Sequence, residues 1–257
     1  MTAPRRAASP ILLLLAALPA WAQSKAPFDD VRGWEVLTWE MNVEEAKAAL
    51  AGAGVVAEEK QDRRMGTMRL RFVRQGWEGT VYFDVDDAMN QILLRSPAFA
   101  QADGAAAETE AGKFTARFGA PHGEDRIEYA DTGRVDRNAS WWNPWTQLEV
   151  TLAHDLEDKV ESYLVWVKFQ PLSSERVVRS EEGLGTADGR LVRLEGQVAD
   201  GGSSLALPDG TKVGLPETSR AELAGMAGKD VSIAGRVAVR DSAAVVVEVV
   251  EVTAVGG

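Results

Sequence analysis

Residues 140–145, Ser-Trp-Trp-Asn-Pro-Trp, place three of the chain's eight tryptophans within five residues. They overlap the end of VDRNASWW, residues 135–142, which reads as an extended strand. Successive side chains of a strand point to opposite faces, so Trp141 and Trp142 share one core only if the sheet is covered on both sides. At least one indole therefore meets something other than the sheet's own interior: helices, a neighbouring domain or a partner. Two readings stand side by side, because large aromatics most often serve packing and also make binding platforms. The same two-sidedness recurs downstream, where Tyr163, Val165, Val167 and Phe169 lie opposite Leu164 and Trp166. Two apolar faces on neighbouring strands predict a curved sheet with helices on one side and a concave aromatic surface on the other.

Outward from the cluster, RIEYA (126–130) precedes it, while TQLEVTLA (146–153) and ESYLVWVKF (161–169) follow, giving four strands in all. Before them, residues 104–118 carry Ala107, Ala111, Phe114 and Phe118 at helical spacing, stopped by Gly119 and Pro121. An earlier stretch has the same order. MNVEEAKAAL (41–50) opens with Asn42 as helix cap and Glu45 at capping-box distance, sets Val43, Ala46 and Leu50 on one face, and is stopped near Gly52 or Gly54. The segments VVAEEKQ (55–61), TMRLRFVR (67–74), WEGTVYFDV (77–85) and MNQILLR (89–95) read as strands, with Met68, Leu70 and Phe72 alternating with Arg69 and Arg71. The expected fold class is α+β, with a tandem αββββ repeat over residues 28–172 forming an antiparallel sheet with helices on one face. The alternative is two unrelated stretches that share a generic rhythm.

The phrases GWEVLTWEMNVEEAKAAL (33–50) and KFTARFGAPH (113–122) resemble the openings and helix ends of exported α+β modules. In those modules a tryptophan precedes the helix start and each helix ends in a Gly-x-Pro turn. They occur in the tandem-repeat β-lactamase inhibitor protein and in small outer-membrane-assembly lipoproteins. The likeness covers roughly residues 33–170 and implies a binding or assembly role; it carries no catalytic residue across. Glu40 stands where those modules have a glycine before Met41, and the lipoprotein cysteine is missing.

Residues 173–187, SSERVVRSEEGLGTA, lose all aromatics and apolar periodicity and read as a linker. Residues 188–257 then change character. RLVRLEGQVAD, SSLALPDG, TKVGLP, the helical ETSRAELAGMAG, KDVSIAGRVAVR and AAVVVEVVEVT follow as strand, strand, strand, helix, strand, strand. This order and the glycine-centred LEGQV and IAGRV resemble a small all-β OB-like barrel. Stacking aromatics over a positive groove hold single-stranded nucleic acid in such folds. This segment has no Phe, Tyr or Trp, and from Thr186 onward seven Lys/Arg face ten Asp/Glu. A spacer or protein-docking role fits it better.

Arg5 and Arg6, the apolar run Ile11–Leu18 and the small residues Ala20 and Ala22 make residues 1–22 a signal peptide, too short for a membrane span. The expected location is the periplasm of a Gram-negative bacterium. The chain has no cysteine, so disulfides, thiol catalysis, cysteine metal sites and a lipid anchor on cysteine are excluded. Loss of Arg5 and Arg6 with the signal peptide moves the net charge from −11 to −13, which repels nucleic acid and anionic membranes.

No catalytic motif is recognisable, and no cofactor is expected. His122 and His154, the only two histidines, match neither a metal-binding nor a triad pattern and read as surface loop residues. The acidic hairpin tips DVDDAMN and HDLEDKVE lack the calcium-loop order and read as solvated turns. The basic stripe around Arg69 and Arg71 reads as pairing with neighbouring acids, or as orienting charge for a ligand. The leading expectation is a non-catalytic exported protein that binds a protein or cell-envelope component through Trp141, Trp142, Trp145 and Trp166, with Arg69 and Arg71 beside them. A carbohydrate binder or glycan hydrolase and a structural envelope spacer are the alternatives.

Overall fold

The structure, a computed structural model, describes residues 27–61, 66–100, 103–130, 134–157, 160–240 and 243–255. The expected signal peptide, residues 1–22, lies outside them. A short hairpin, β1 (Gly33–Trp34) and β2 (Leu37–Thr38), leads into α1 (Val43–Gly52), β3 (Ala57–Gln61), β4 (Met68–Arg74), β5 (Trp77–Phe83) and β6 (Met89–Arg95). After β7 (Phe99–Ala100) come α2 (Gly104–Phe118), β8 (Gly123–Tyr129), β9 (Arg134–Trp142), β10 (Thr146–Glu157) and β11 (Val160–Pro171). The strands from β3 to β11 form one antiparallel sheet in the order β3-β4-β5-β6-β11-β10-β9-β8, with the short β7 also paired to β11. The two runs of four strands meet where β6 pairs with β11, from Ile92 opposite Phe169 to Arg95 opposite Trp166.

Local chemistry fixes these elements. The Asn42 side chain accepts from the Glu45 N–H and the Glu45 carboxylate accepts from the Asn42 N–H, both at 3.0 Å, so two free donors at the start of α1 are satisfied reciprocally. Alternation then sorts the strands. Leu70, Val81, Ile92, Val165, Val167, Phe169, Leu148 and Trp141 all point to one face and join Val43, Ala46 and Leu50 of α1 and Ala107 and Phe118 of α2 in a single buried cluster. Ala111 and Phe114 pack at its margin. Both helices therefore cover the same side of the sheet.

The chain then enters a closed barrel. It contains β12 (Leu191–Val198), β13 (Ser204–Ala206), β14 (Lys212–Gly214), β15 (Asp230–Arg240) and β16 (Ala243–Ala254), in the order β12-β13-β14-β16-β15. Parallel pairing of Gly214 with Val245 closes it. The interior is aliphatic, built from Leu194, Leu205, Val213, Val231, Ile233 and their neighbours. Gly196 is required by close approach, since a Cβ there would lie 2.3 Å from the Ala206 carbonyl oxygen across the β12–β13 pair.

Residues 173–187, expected as a linker, carry structure of their own. They form α3 (Glu181–Gly185) and send Val178, Leu184 and Ala187 into the barrel's core. These three apolar residues bury their area against the barrel although they show no strand or long-helix periodicity. A second short helix, α4 (Arg220–Ala224), lies between β14 and β15 and buries Leu223 in the same core.

Candidate functional site

The corner between β9 and β10 is where the tryptophans diverge. Trp141 is fully buried on the helix side, its ring centroid 6.4 Å from that of Phe118, and its indole N–H donates to the Gly119 carbonyl at the end of α2 at 3.1 Å. It is a core residue and touches no solvent, so the expectation that it belongs to a binding surface is set aside. Trp142 points the other way and meets the chain that leads into the barrel. His122 packs edge-on at 4.7 Å, and the guanidinium carbons of Arg176 and Arg190 lie 4.4 and 5.7 Å from its ring.

Trp145 is held similarly. Arg32 covers its ring at 3.7 Å, and its N–H donates to Glu251 of β16 at 3.2 Å. Arg193 of β12 donates to the Pro144 carbonyl at 2.8 Å, and Arg236 of β15 pairs with the buried Asp29 at 2.7 Å. Both half-buried indoles are therefore engaged in a polar seam between sheet and barrel. The neighbour demanded by their divergence is largely the protein itself.

Asn143 was not singled out by sequence reasoning, yet it organises the corner. Only 2% exposed, it donates to the carbonyls of Phe28 (2.7 Å) and Val31 (2.8 Å) and accepts from the N–H groups of Trp145 (2.8 Å) and Thr146 (2.7 Å). That uses its full capacity of two donors and two acceptor lone pairs. Thr146 adds a hydroxyl bond to Val31 and accepts from the Trp39 indole.

The helix-free face of the sheet holds the remaining predicted residues. Pairing across the strands lays them out as a grid. One row runs Glu58, Arg71, Thr80, Leu93, Lys168, and beside it run Val73, Glu78, Arg95, Trp166 and then Lys60, Arg69, Tyr82. A groove of about 830 Å³ lies over this grid, and Arg69, Arg71, Arg95, Tyr82, Leu93 and Trp166 line it. On the opposite, helix-covered side of the sheet, the Phe72 ring takes the place of a side chain at Gly79: a Cβ there would lie 2.1 Å from the ring. Arg95 sits 5.6 Å from the Trp166 ring, with its Nη1 3.6 Å from Glu78, and Glu58 is taken by Lys60 at 3.4 Å. Arg69 and Arg71 have no ion pair among the described residues, contrary to the expected pairing with acids, and the Nε atoms of Arg69 and Arg95 are buried without a hydrogen-bond partner. The face is more cationic and less aromatic than two-sided apolar patterning predicts, because Tyr163 and Phe169 turn to the helix side.

A smaller cavity of about 260 Å³ lies between α2 and the hairpin turns, walled by Trp34, Phe72, Trp77 and Phe114. Its rim charges Arg74 and Lys113 are paired with Glu35 and Glu110. Of the two histidines expected in surface loops, His122 does lie in the connection between α2 and β8 but is half-buried, and His154 is in a strand. His122 accepts from the Trp142 N–H through Nδ1 at 3.1 Å, while His154 lies within β10 and stacks on Tyr163 at 5.1 Å. Burial first, then the guanidiniums of Arg190 and Arg176, lowers the His122 pKa to about 4. At the DVDDAMN tip, Asp84 accepts from the Asp86 and Ala88 N–H groups at 2.9 Å, an ordinary turn. The other acidic tip falls at residues 158–159, outside the described residues. No protein-family model matches the chain, and neither the curated proteins nor the solved structures hold a significantly similar one.

Proposed function

We propose that this is a non-catalytic, exported binding protein that takes hold of a protein or cell-envelope component on the helix-free face of its sheet, with the periplasm as its place of work. One observation carries the reading: two arginines without ion pairs, Arg69 and Arg71, converge with Arg95, Tyr82 and the half-exposed Trp166 on one groove in an acid-rich chain. Arg, Tyr and Trp are the residues that dominate binding hot spots. Trp142 and Trp145 serve the reading indirectly, by docking the barrel to the sheet. On this view the two helix-plus-four-strand runs are a tandem αββββ repeat like that of exported inhibitor and assembly modules, and the barrel is an OB-like docking module.

A photo-crosslinking residue at Leu93, inside the groove, tests the proposal in intact cells against the same residue at exposed Ala48 on α1. The expected result is a discrete adduct from position 93 and none from position 48. Equal yields, or none from either, refute it. Trp166 beside Arg95 also offers a sugar ring a stacking surface, and a glycan array on the same protein separates that reading from capture of a protein.

A further inference from the structure

We infer that the occupant of this groove is an acidic, extended segment of a partner polypeptide, laid along β4 so that alternate carboxylates meet Arg69 and Arg71. The inference rests on the binding role proposed above and names the chemistry of the partner. Arg69 and Arg71 are two residues apart on one strand and face the same way, which sets their Cα atoms about 7 Å apart. Alternate side chains of an extended acidic peptide repeat at the same interval.

The surroundings leave those guanidiniums available. Opposite Arg71, Glu58 is engaged by Lys60; opposite Arg69 stand Lys60 and Tyr82, neither of which is an acid. The Nε–H groups of Arg69 and Arg95 are sealed from solvent without an acceptor, so the terminal nitrogens of half-buried Arg69 and exposed Arg71 are the donors a ligand would meet. A guanidinium presents five donors in a planar fork and accepts nothing, so a carboxylate satisfies it best, through two parallel bonds.

Charge also selects the class of occupant. With a net charge of −11, the protein repels long uniform polyanions such as nucleic acid or sulfated polysaccharide more than it attracts them locally. A short acidic segment with interspersed uncharged side chains escapes most of that repulsion. Leu93, Tyr82 and the Trp166 ring give the uncharged side chains apolar area to cover.

The test uses the full chain and fluorescein-labelled peptides. An alternating Glu-Thr octapeptide is expected to bind, to weaken as salt rises, and to lose at least tenfold in affinity against the Arg69→Gln/Arg71→Gln double variant. A Glu-Glu-Thr-Thr repeat of equal charge, which cannot place carboxylates two residues apart on one face along its length, is expected to bind more weakly. No binding of the alternating peptide, equal binding of a Lys-Thr octapeptide, or undiminished binding by the double variant would each overturn the inference. So would tighter binding of heparin or of phosphatidylglycerol vesicles through the same arginines. Circular dichroism checks that the double variant folds; if it does not, Thr80→Glu, which sets a carboxylate beside Arg71, replaces it and is expected to cause the same loss. Crosslinking from position 93 that persists in the double variant would leave the binding face standing while ending the acidic-peptide assignment.

Discussion

Replacing Asn143 with alanine tests the reading of the tryptophan-rich corner. The substitution deletes four hydrogen bonds, to the Phe28 and Val31 carbonyls and from the Trp145 and Thr146 N–H groups. The Val31 carbonyl keeps its bond from the Thr146 hydroxyl and the Phe28 carbonyl its bond from the Val31 N–H, so the Trp145 and Thr146 N–H groups are the two left without a partner. At about 1–1.5 kcal/mol for each such group, the expected loss is about 2–3 kcal/mol. With a urea slope of about 1–3 kcal/mol per molar, the midpoint of unfolding followed by circular dichroism should fall by at least about 0.7 M. Asn143→Asp divides the effect: it keeps acceptors for the two N–H groups but presents a carboxylate to two carbonyls, and should be at least as damaging as alanine. A loss below about 1 kcal/mol for the alanine variant would show that water or a shift of the N-terminal segment replaces these bonds, and the corner's assigned role would fail.

Asp29→Ala leaves the buried Arg236 with only Glu248 and the Gly189 carbonyl, and should cost about 3 kcal/mol in calorimetric or denaturant stability; Arg236→Met added to it should recover much of that loss. Between pH 6.5 and about 4 the unfolded chain takes up a proton at residue 122 that the folded protein does not. Stability should therefore fall over that window as the pH drops, by up to about 2 kcal/mol after allowance for the partly solvated ring, and flatten below it; His122→Gln should remove this component of the profile. Gly79→Ala drives a methyl into the Phe72 ring and should destabilise by about 1–3 kcal/mol in thermal melts.

Local patterns in the sequence go far toward the fold, because capping and alternation act over a few residues. Asn42 with Glu45, and Leu70 and Phe72 against Arg69 and Arg71, specify helix start and strand face without long-range information. Alternation also requires Trp141 and Trp142 to diverge. It states a direction and not a neighbour, which is why Trp142 and Trp145 read equally well as a platform until Arg176, Arg190, Arg32 and Glu251 are placed against them. Asn143 has its carbonyl partners at positions 28 and 31, more than a hundred residues away, and a single asparagine in a turn carries no mark of such contacts. Val178, Leu184 and Ala187 escape periodicity because the segment is too short to repeat, although three apolar residues in a charged stretch were a usable signal. Arg69 and Arg71 were legible as a basic stripe; their lack of acidic partners depends on Lys60 engaging Glu58.

The all-aliphatic interior of the barrel has an experimental consequence. With no Phe, Tyr or Trp from residue 173 onward, that part of the chain is optically silent in the near ultraviolet. Trp142 and Trp145 contact Arg190 and Glu251 and thus stand as its two resident reporters. Their emission will register detachment of the barrel before any other indole does, and a Trp142→Phe/Trp145→Phe protein should show a single spectroscopic transition even where calorimetry resolves two.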